Sequence, residues 1–414
     1  MRFRLLLSTA LCCVSACGDG PLGELIAPDA GGVDAGPQAD VGPQGSDAGP
    51  TDFSIVDGGL PRETYCATST GAAAIQTTIF GDGALSDWAW NDDSVAAATP
   101  DGFVLAVPSA EGPLLRTSDG LALEADWSRR VVSGEWSQIG LAAVNSELHL
   151  TDVILGEPPQ VRTRRLGLDG TVLSTSAFTL PPLASYTGAD FASHRGEPWA
   201  ILHSGAQLSL RAADVDLPLS VPGLSSESIY SAELLPAPGL FSLALASEEG
   251  SPKALVRFDF DTKTPGSVWV DSCHEGPATR FLPSVARHPD GILVARRCTG
   301  GTRLELLSDA ELTPIRTIEL GGAPFRMMPQ VTMDAGGAVL VIWIEADGSL
   351  QLRYLRRNLT EIRALSFVPT NFSRLVRAVL SASATVPGSL AVFLHGVGGH
   401  GSGPVGVTRV ELCE

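Results

Sequence analysis

The chain is 414 residues long, 44% hydrophobic, and carries a formal charge of −18, with 46 acids against 28 bases. That length holds one large repeat domain or about two to three ordinary ones. The acidic balance argues against nucleic acid, whose phosphates need concentrated Lys and Arg, and favours a solvated, self-repelling surface.

The chain opens MRFRLLLSTALCCVSAC. Arg2 and Arg4 make a basic start, Leu5 to Val14 a short apolar run, and Ser15 and Ala16 a small-residue end. A hydrocarbon core of ~30 Å needs about 20 apolar residues to span it. The run therefore reads as a cleaved export signal over 1–16. Val14-Ser15-Ala16-Cys17 resembles the lipobox of bacterial lipoproteins. The resemblance implies cleavage before Cys17, diacylglycerol on its sulfur, and a membrane anchor of two or more acyl chains, which hold where one does not. Gly18 stands where an inner-membrane retention signal would place Asp, so the outer membrane is the expected address, with the body facing the periplasm or the surface.

Residues 17–60 form the next segment, rich in Gly, Pro, Ala and Asp. They hold eight acids, no base and no apolar period. Such a composition cannot bury enough surface to fold, so a disordered tether is expected. About 43 flexible residues give an rms reach of ~35–40 Å.

The body, 61–414, repeats itself. Thr99-Pro-Asp-Gly-Phe-Val-Leu-Ala-Val107 resembles His288-Pro-Asp-Gly-Ile-Leu-Val-Ala-Arg296, and Asp334-Ala-Gly-Gly-Ala-Val-Leu-Val-Ile342 follows the same pattern. Seven such turns centre on Gly102, Ser146, Gly196, Gly239, Gly291, Gly337 and Gly388, spaced 43–52 residues apart. The clearest unit reads as four strands: PQVTMD, AVLVIWIE, SLQLRYLRR and EIRALSFV. Its three turns contain Gly, Asn or Asp, as hairpins that need positive φ require. Four strands repeating at this period match a β-propeller blade. The expected fold is all-β, a seven-bladed propeller of four-stranded antiparallel blades. The second strand of each unit is nearly all apolar, as burial on both faces demands. The Gly-His and Trp-Asp signatures of WD40 repeats and a sialidase-type Asp box are missing, so the resemblance stops at architecture.

The last unit has three strands, LVRAVLSAS, SLAVFLHG and PVGVTRVELC, and no fourth. An unassigned β-prone run, Ala74-Ile-Gln-Thr-Thr-Ile-Phe80, precedes the first unit and is expected to supply the missing outer strand. Four cysteines lie in the body, Cys66, Cys273, Cys298 and Cys413. An even count in an exported chain suggests disulfides, and four cysteines allow three connectivities. Cys66–Cys413 is preferred because both flank the closing strands, which leaves Cys273–Cys298.

No catalytic, cofactor or metal site is expected. Gly396-Val-Gly398-Gly399-His400-Gly401 matches GxGxxG as a string, but Pro404 and a strand follow where a dinucleotide site needs a helix. His395 and His400 lack a placed carboxylate, as a metal site would want. The candidate ligand site is a ring of equivalent positions at the start of each innermost strand: Trp90, Trp136, Tyr186, Tyr230, Arg280, Arg326 and Arg374. Around a channel mouth these would be aromatic over four blades and basic over three. Aromatic faces stack on sugar rings and Arg forks carboxylates or phosphates, so an anionic glycan or another anionic ligand is expected. The same residues could instead pack between blades and pair with local acids. The leading reading is a non-catalytic ligand-binding or protein-interaction module on the cell envelope, held to the membrane by its lipid. The alternatives are an exported carbohydrate-active enzyme with its site at the channel mouth, and a structural part of an envelope complex.

Overall fold

The computed structural model describes the strands and many turns between residues 73 and 412, together with Cys13–Val14. The rest of 1–72, residues 413–414, the connections 81–94, 131–138, 182–187, 220–227, 235–239, 247–252, 274–282, 323–328 and 397–404, and shorter turn segments lie outside the described residues. The lipidation site, the tether and Cys66 fall there.

Among the described residues the strands fall into seven sheets, numbered here in chain order. Their innermost strands are Val95–Thr99, Ile139–Val144, Gly188–His194, Ser228–Leu234, Ser284–His288, Gln330–Met333 and Leu375–Ala382. Each sheet grows outward from its innermost strand by antiparallel hairpins. Cys13–Val14, within the expected leader, lies parallel to Ala96–Ala97 of sheet 1.

Sheet 6 shows why the sequence folds this way. Its strands are Gln330–Met333, Val339–Ile344, Leu350–Leu355 and Glu361–Phe367. The second strand is buried at every position, because both its faces are covered by neighbouring sheets. The fourth strand has only exposed and half-buried positions, as a rim strand should. Glu361, Arg363 and Ser366 on it are polar.

Hydrophobic clusters join sheets 2 to 3, 3 to 4, 4 to 5, 5 to 6 and 6 to 7. Inter-blade packing is thus described across five junctions. The innermost strand of sheet 1 neighbours those of sheets 2 and 7 along the backbone. The fold is an all-β propeller with antiparallel blades.

The expected closing pair is present. Ala74–Phe80 runs antiparallel to Val405–Glu411, with Ala74 opposite Glu411 and Phe80 opposite Val405. Thr77 and Thr408 share a hydroxyl hydrogen bond at 2.8 Å across this seam. The strand Val405–Glu411 follows the GxGxxG string, where a dinucleotide site needs a helix.

One turn rule needs correction. The left-handed residue in the third turn of sheet 6 is Leu359 (φ 62°), not Asn358, and Leu312 (φ 51°) does the same in sheet 5. Both leucines are 2% exposed and sit in the core between sheets. Burying a leucine contributes about 1.5–3 kcal/mol, which outweighs the roughly 1–2 kcal/mol strain of αL in an L-residue. Asn358 supports the turn from outside, accepting from the Thr360 amide and hydroxyl.

Candidate functional site

Every innermost strand starts at the same end of the propeller, because each sheet repeats the same hairpin order. The expected candidate ring falls, in sequence, at or just before these strand starts. Trp90, Trp136, Tyr186, Arg280, Arg326 and Arg374 lie outside the described residues, each a few positions before its innermost strand. Tyr230 lies within its strand, Ser228–Leu234, at a register shift between Ile229 and Ser231. The structure thus places one of the seven on the channel-lining strands.

The walls behind this mouth are stapled between blades. Gln330 of sheet 6 donates its amide to the Ala378 carbonyl of sheet 7 and accepts from the Leu380 N–H at 2.8 Å. The Val331 N–H donates to Ser284 Oγ of sheet 5 at 3.2 Å. At the opposite end, Asp334 is 4% exposed and accepts hydrogen bonds from Gly336 N, Ala338 N, Tyr354 Oη and Gly388 N. Gly388 belongs to the first hairpin turn of sheet 7, so one carboxylate holds two blades. Burial raises its pKa against the pull of those donors. His288, fully buried at the matching turn of sheet 5, pairs its Nε2 with the Arg357 carbonyl of sheet 6 at 3.0 Å.

Two buried ionic clusters lie toward the mouth, and sequence reasoning missed both. In sheet 5, Arg296 is 1% exposed. It donates to Asp271 and, at 2.6 Å, to Glu305, while its guanidinium lies 4.7 Å from the Trp269 ring centroid. Burial lowers its pKa, and Glu305 opposes that shift. Asp271 also accepts from the Cys273 N–H at 2.7 Å. Cys273 is in turn bonded to Cys298, two residues beyond Arg296, with Cα atoms 5.1 Å apart. The expected Cys273–Cys298 bridge is therefore present. Together with Asp271–Arg296 it clamps the chain where it passes from sheet 4 into sheet 5. Cys413 and Cys66 lie outside the described residues.

In sheet 2, Asp152 is 1% exposed and receives a two-pronged pair from Arg162, Nε to Oδ1 at 3.0 Å and Nη2 to Oδ2 at 2.5 Å. Arg164, 2% exposed, brings Nη2 within 2.9 Å of Asp152 Oδ2. That ion pair is not aligned as a hydrogen bond, and Nε, Nη1 and Nη2 of Arg164 are all without a hydrogen-bond partner. Burial pushes the Arg164 pKa down to about 10, against the attraction of Asp152.

Among the described residues no group of three or more His, Cys, Asp or Glu is gathered as a metal would need. His395 lies in the strand Ser389–Gly396, and His400 lies outside the described residues.

No family model matches this chain, and no curated protein matches it. Solved structures are similar in outline. The WD40 domain of Toxoplasma gondii coronin is 12% identical, with a TM-score of 0.49 over 82% of this chain and 86% of that one. The β-propeller domain of Myceliophteria thermophila Cps50 (Swd1) is 16% identical, with a TM-score of 0.45 over 82% and 100%. The Dos1 propeller is 12% identical, with a TM-score of 0.41 over 84% and 96%. The class assigned here, an antiparallel-bladed β-propeller, rests on the sheets and their order.

Proposed function

We propose that this chain is an exported, lipid-anchored propeller that binds ligands or protein partners at its channel mouth and performs no catalysis. The ring has seven blades, and the pairing of Ala74–Phe80 with Val405–Glu411 supports closure through a shared last blade. That pairing puts the start of the folded body on the outer rim, where the tether from Cys17 joins it. The mouth is then free to face away from the membrane. The bridge Cys66–Cys413 locks this seam: Cys413 lies two positions past Glu411, which is opposite Ala74. An entropic estimate for so long a loop is about 4–5 kcal/mol.

The observation that carries the binding reading is the common direction of the innermost strands. On this reading Trp90, Trp136, Tyr186 and Tyr230 would line one arc of the mouth, and Arg280, Arg326 and Arg374 the other. Stacking faces beside guanidinium forks suit an anionic glycan. The address is the outer membrane, as the Gly18 position implies.

Two measurements test this. Replacing Arg280, Arg326 and Arg374 together with Ala should lower retention on acidic polysaccharide at least tenfold, with far-ultraviolet circular dichroism unchanged. Equal retention by the folded triple variant would refute the glycan site. Cys17→Ser should move the protein from the membrane to the soluble exported fraction and remove the acyl mass. A variant still held in the membrane would refute the anchor.

A further inference from the structure

The two ionic clusters behind the mouth differ in their accounts with charge. In sheet 5 one guanidinium, Arg296, meets two carboxylates, Asp271 and Glu305. In sheet 2 two guanidiniums, Arg162 and Arg164, meet one carboxylate, Asp152. Among the described residues the sheet 2 cluster is left with one positive charge. That charge cannot leave by deprotonation at ordinary pH, because even the lowered Arg164 stays protonated there.

The surplus is also badly served by hydrogen bonds. Asp152 spends both oxygens on Arg162 in a fork. Arg164 touches only the side of that fork, and it is the one described buried guanidinium with all three of its nitrogens lacking a partner. Arg296 and Arg409 lack one each. Burying a donor without an acceptor is costly, and burying a charge without a counter-charge is costlier. A folded protein removes such a cost by burying an acceptor of opposite sign beside it.

The location is defined by strand alternation. Val153 and Val161 pack on Phe191, Ala200 and Leu202 of sheet 3. Asp152, Arg162 and Arg164, one step out of phase, therefore face the sheet 1 side. The unpartnered nitrogens are sealed from solvent, each below 1 Å² of accessible surface. A sealed site with one surplus charge suits a guest that is small and singly negative.

We propose that Arg164 holds a monatomic halide between sheets 1 and 2, with Arg162 adding its field. The halide accepts the orphaned N–H groups and neutralises the cluster. It is a site for a resident anion, separate from ligand binding at the mouth.

The test uses the mature chain at constant ionic strength, replacing bromide with gluconate, which is too large to enter. The thermal midpoint should rise with bromide by about 2 °C per tenfold increase above half-saturation, as linkage requires for a chain of this size. Crystals grown in bromide should show an anomalous peak within hydrogen-bond reach of the Arg164 guanidinium. Arg164→Met should abolish the bromide dependence. If that variant fails to fold, the anomalous peak of the parent protein decides. A midpoint indifferent to bromide, or an ordered water alone at the guanidinium, would overturn the proposal.

Discussion

In sheet 2 the sixth residue of the second strand is Asp152, and in sheet 5 it is Arg296. Directly opposite on the third strand stand Arg162 and Arg303. Two residues further along stand Arg164 and Glu305, facing Leu150 and Val294 in register. The two sheets bury an ionic cluster at one and the same place, turned toward the preceding sheet, with the signs exchanged at the first and third of these positions. Sheet 5 surrounds its cation: Asp271 and Glu305 accept from it, Trp269 covers it, and the Cys273–Cys298 bond holds Asp271's neighbour in place. Sheet 2 surrounds its carboxylate and leaves a cation over. A propeller position that must be filled by something polar can thus be filled from either side of neutrality, and among the described residues only the sheet 5 solution is balanced by its own carboxylates.

The comparison can be broken most sharply at Arg296. Arg296→Ala strands Asp271 and Glu305 without a counter-charge, and loss of one partner from a buried ion pair costs about 3–5 kcal/mol. Urea unfolding should show that loss. Arg164→Met removes a surplus charge, and it should cost far less in halide-free buffer or stabilise the fold. Equal losses at the two sites would end the distinction.

The covalent half of the sheet 5 clamp comes next. Cys273 and Cys298 are separated by 25 residues, and opening a loop of that size costs about 3–4 kcal/mol in the entropic account. Cys273→Ser with Cys298→Ser should lower the urea midpoint accordingly. Hydrogen exchange should quicken first around Asp271 and Cys273.

The smallest effect sharpens a third buried charge. Asp334 solves the problem with four donors and no cation. Its native pKa is raised, so the stability it contributes is fully present below the ordinary carboxyl range and is lost as pH rises through the native value. Asp334→Asn turns an N–H donor toward Gly388 and should cost about 1–3 kcal/mol. The deficit, measured as the difference between parent and variant, should be larger at acid than at neutral pH. A deficit independent of pH would place the ionisation of Asp334 outside the folding equilibrium.

Much of the scaffold was legible in the residues. The turns fall between the first and second strands of the sheets, the apolar second strand of sheet 6 is buried throughout, and AIQTTIF pairs with the last strand. These signals are local or periodic, so a single chain exposes them. The buried clusters were not legible. Charged residues inside a strand ordinarily read as facing solvent, and QVRTRRLG gives no hint that Arg164 is enclosed while Arg165, next to it, is exposed and paired with Glu147. Which face of a strand is covered depends on the neighbouring sheet, and that is a tertiary fact. The turn leucines escaped for the same reason: Leu312 and Leu359 adopt a glycine-like conformation because the core accepts their side chains.

The seam between Ala74–Phe80 and Val405–Glu411 also sets a timetable. Thr77 and Thr408, which meet there, are 331 residues apart in sequence. During synthesis the earlier strand emerges first and waits for a partner that arrives much later. Until then it is a seven-residue segment with no charge and no proline, the composition that adheres to other nascent chains. A chaperone that shields those residues until Val405–Glu411 emerges should raise the yield of folded protein.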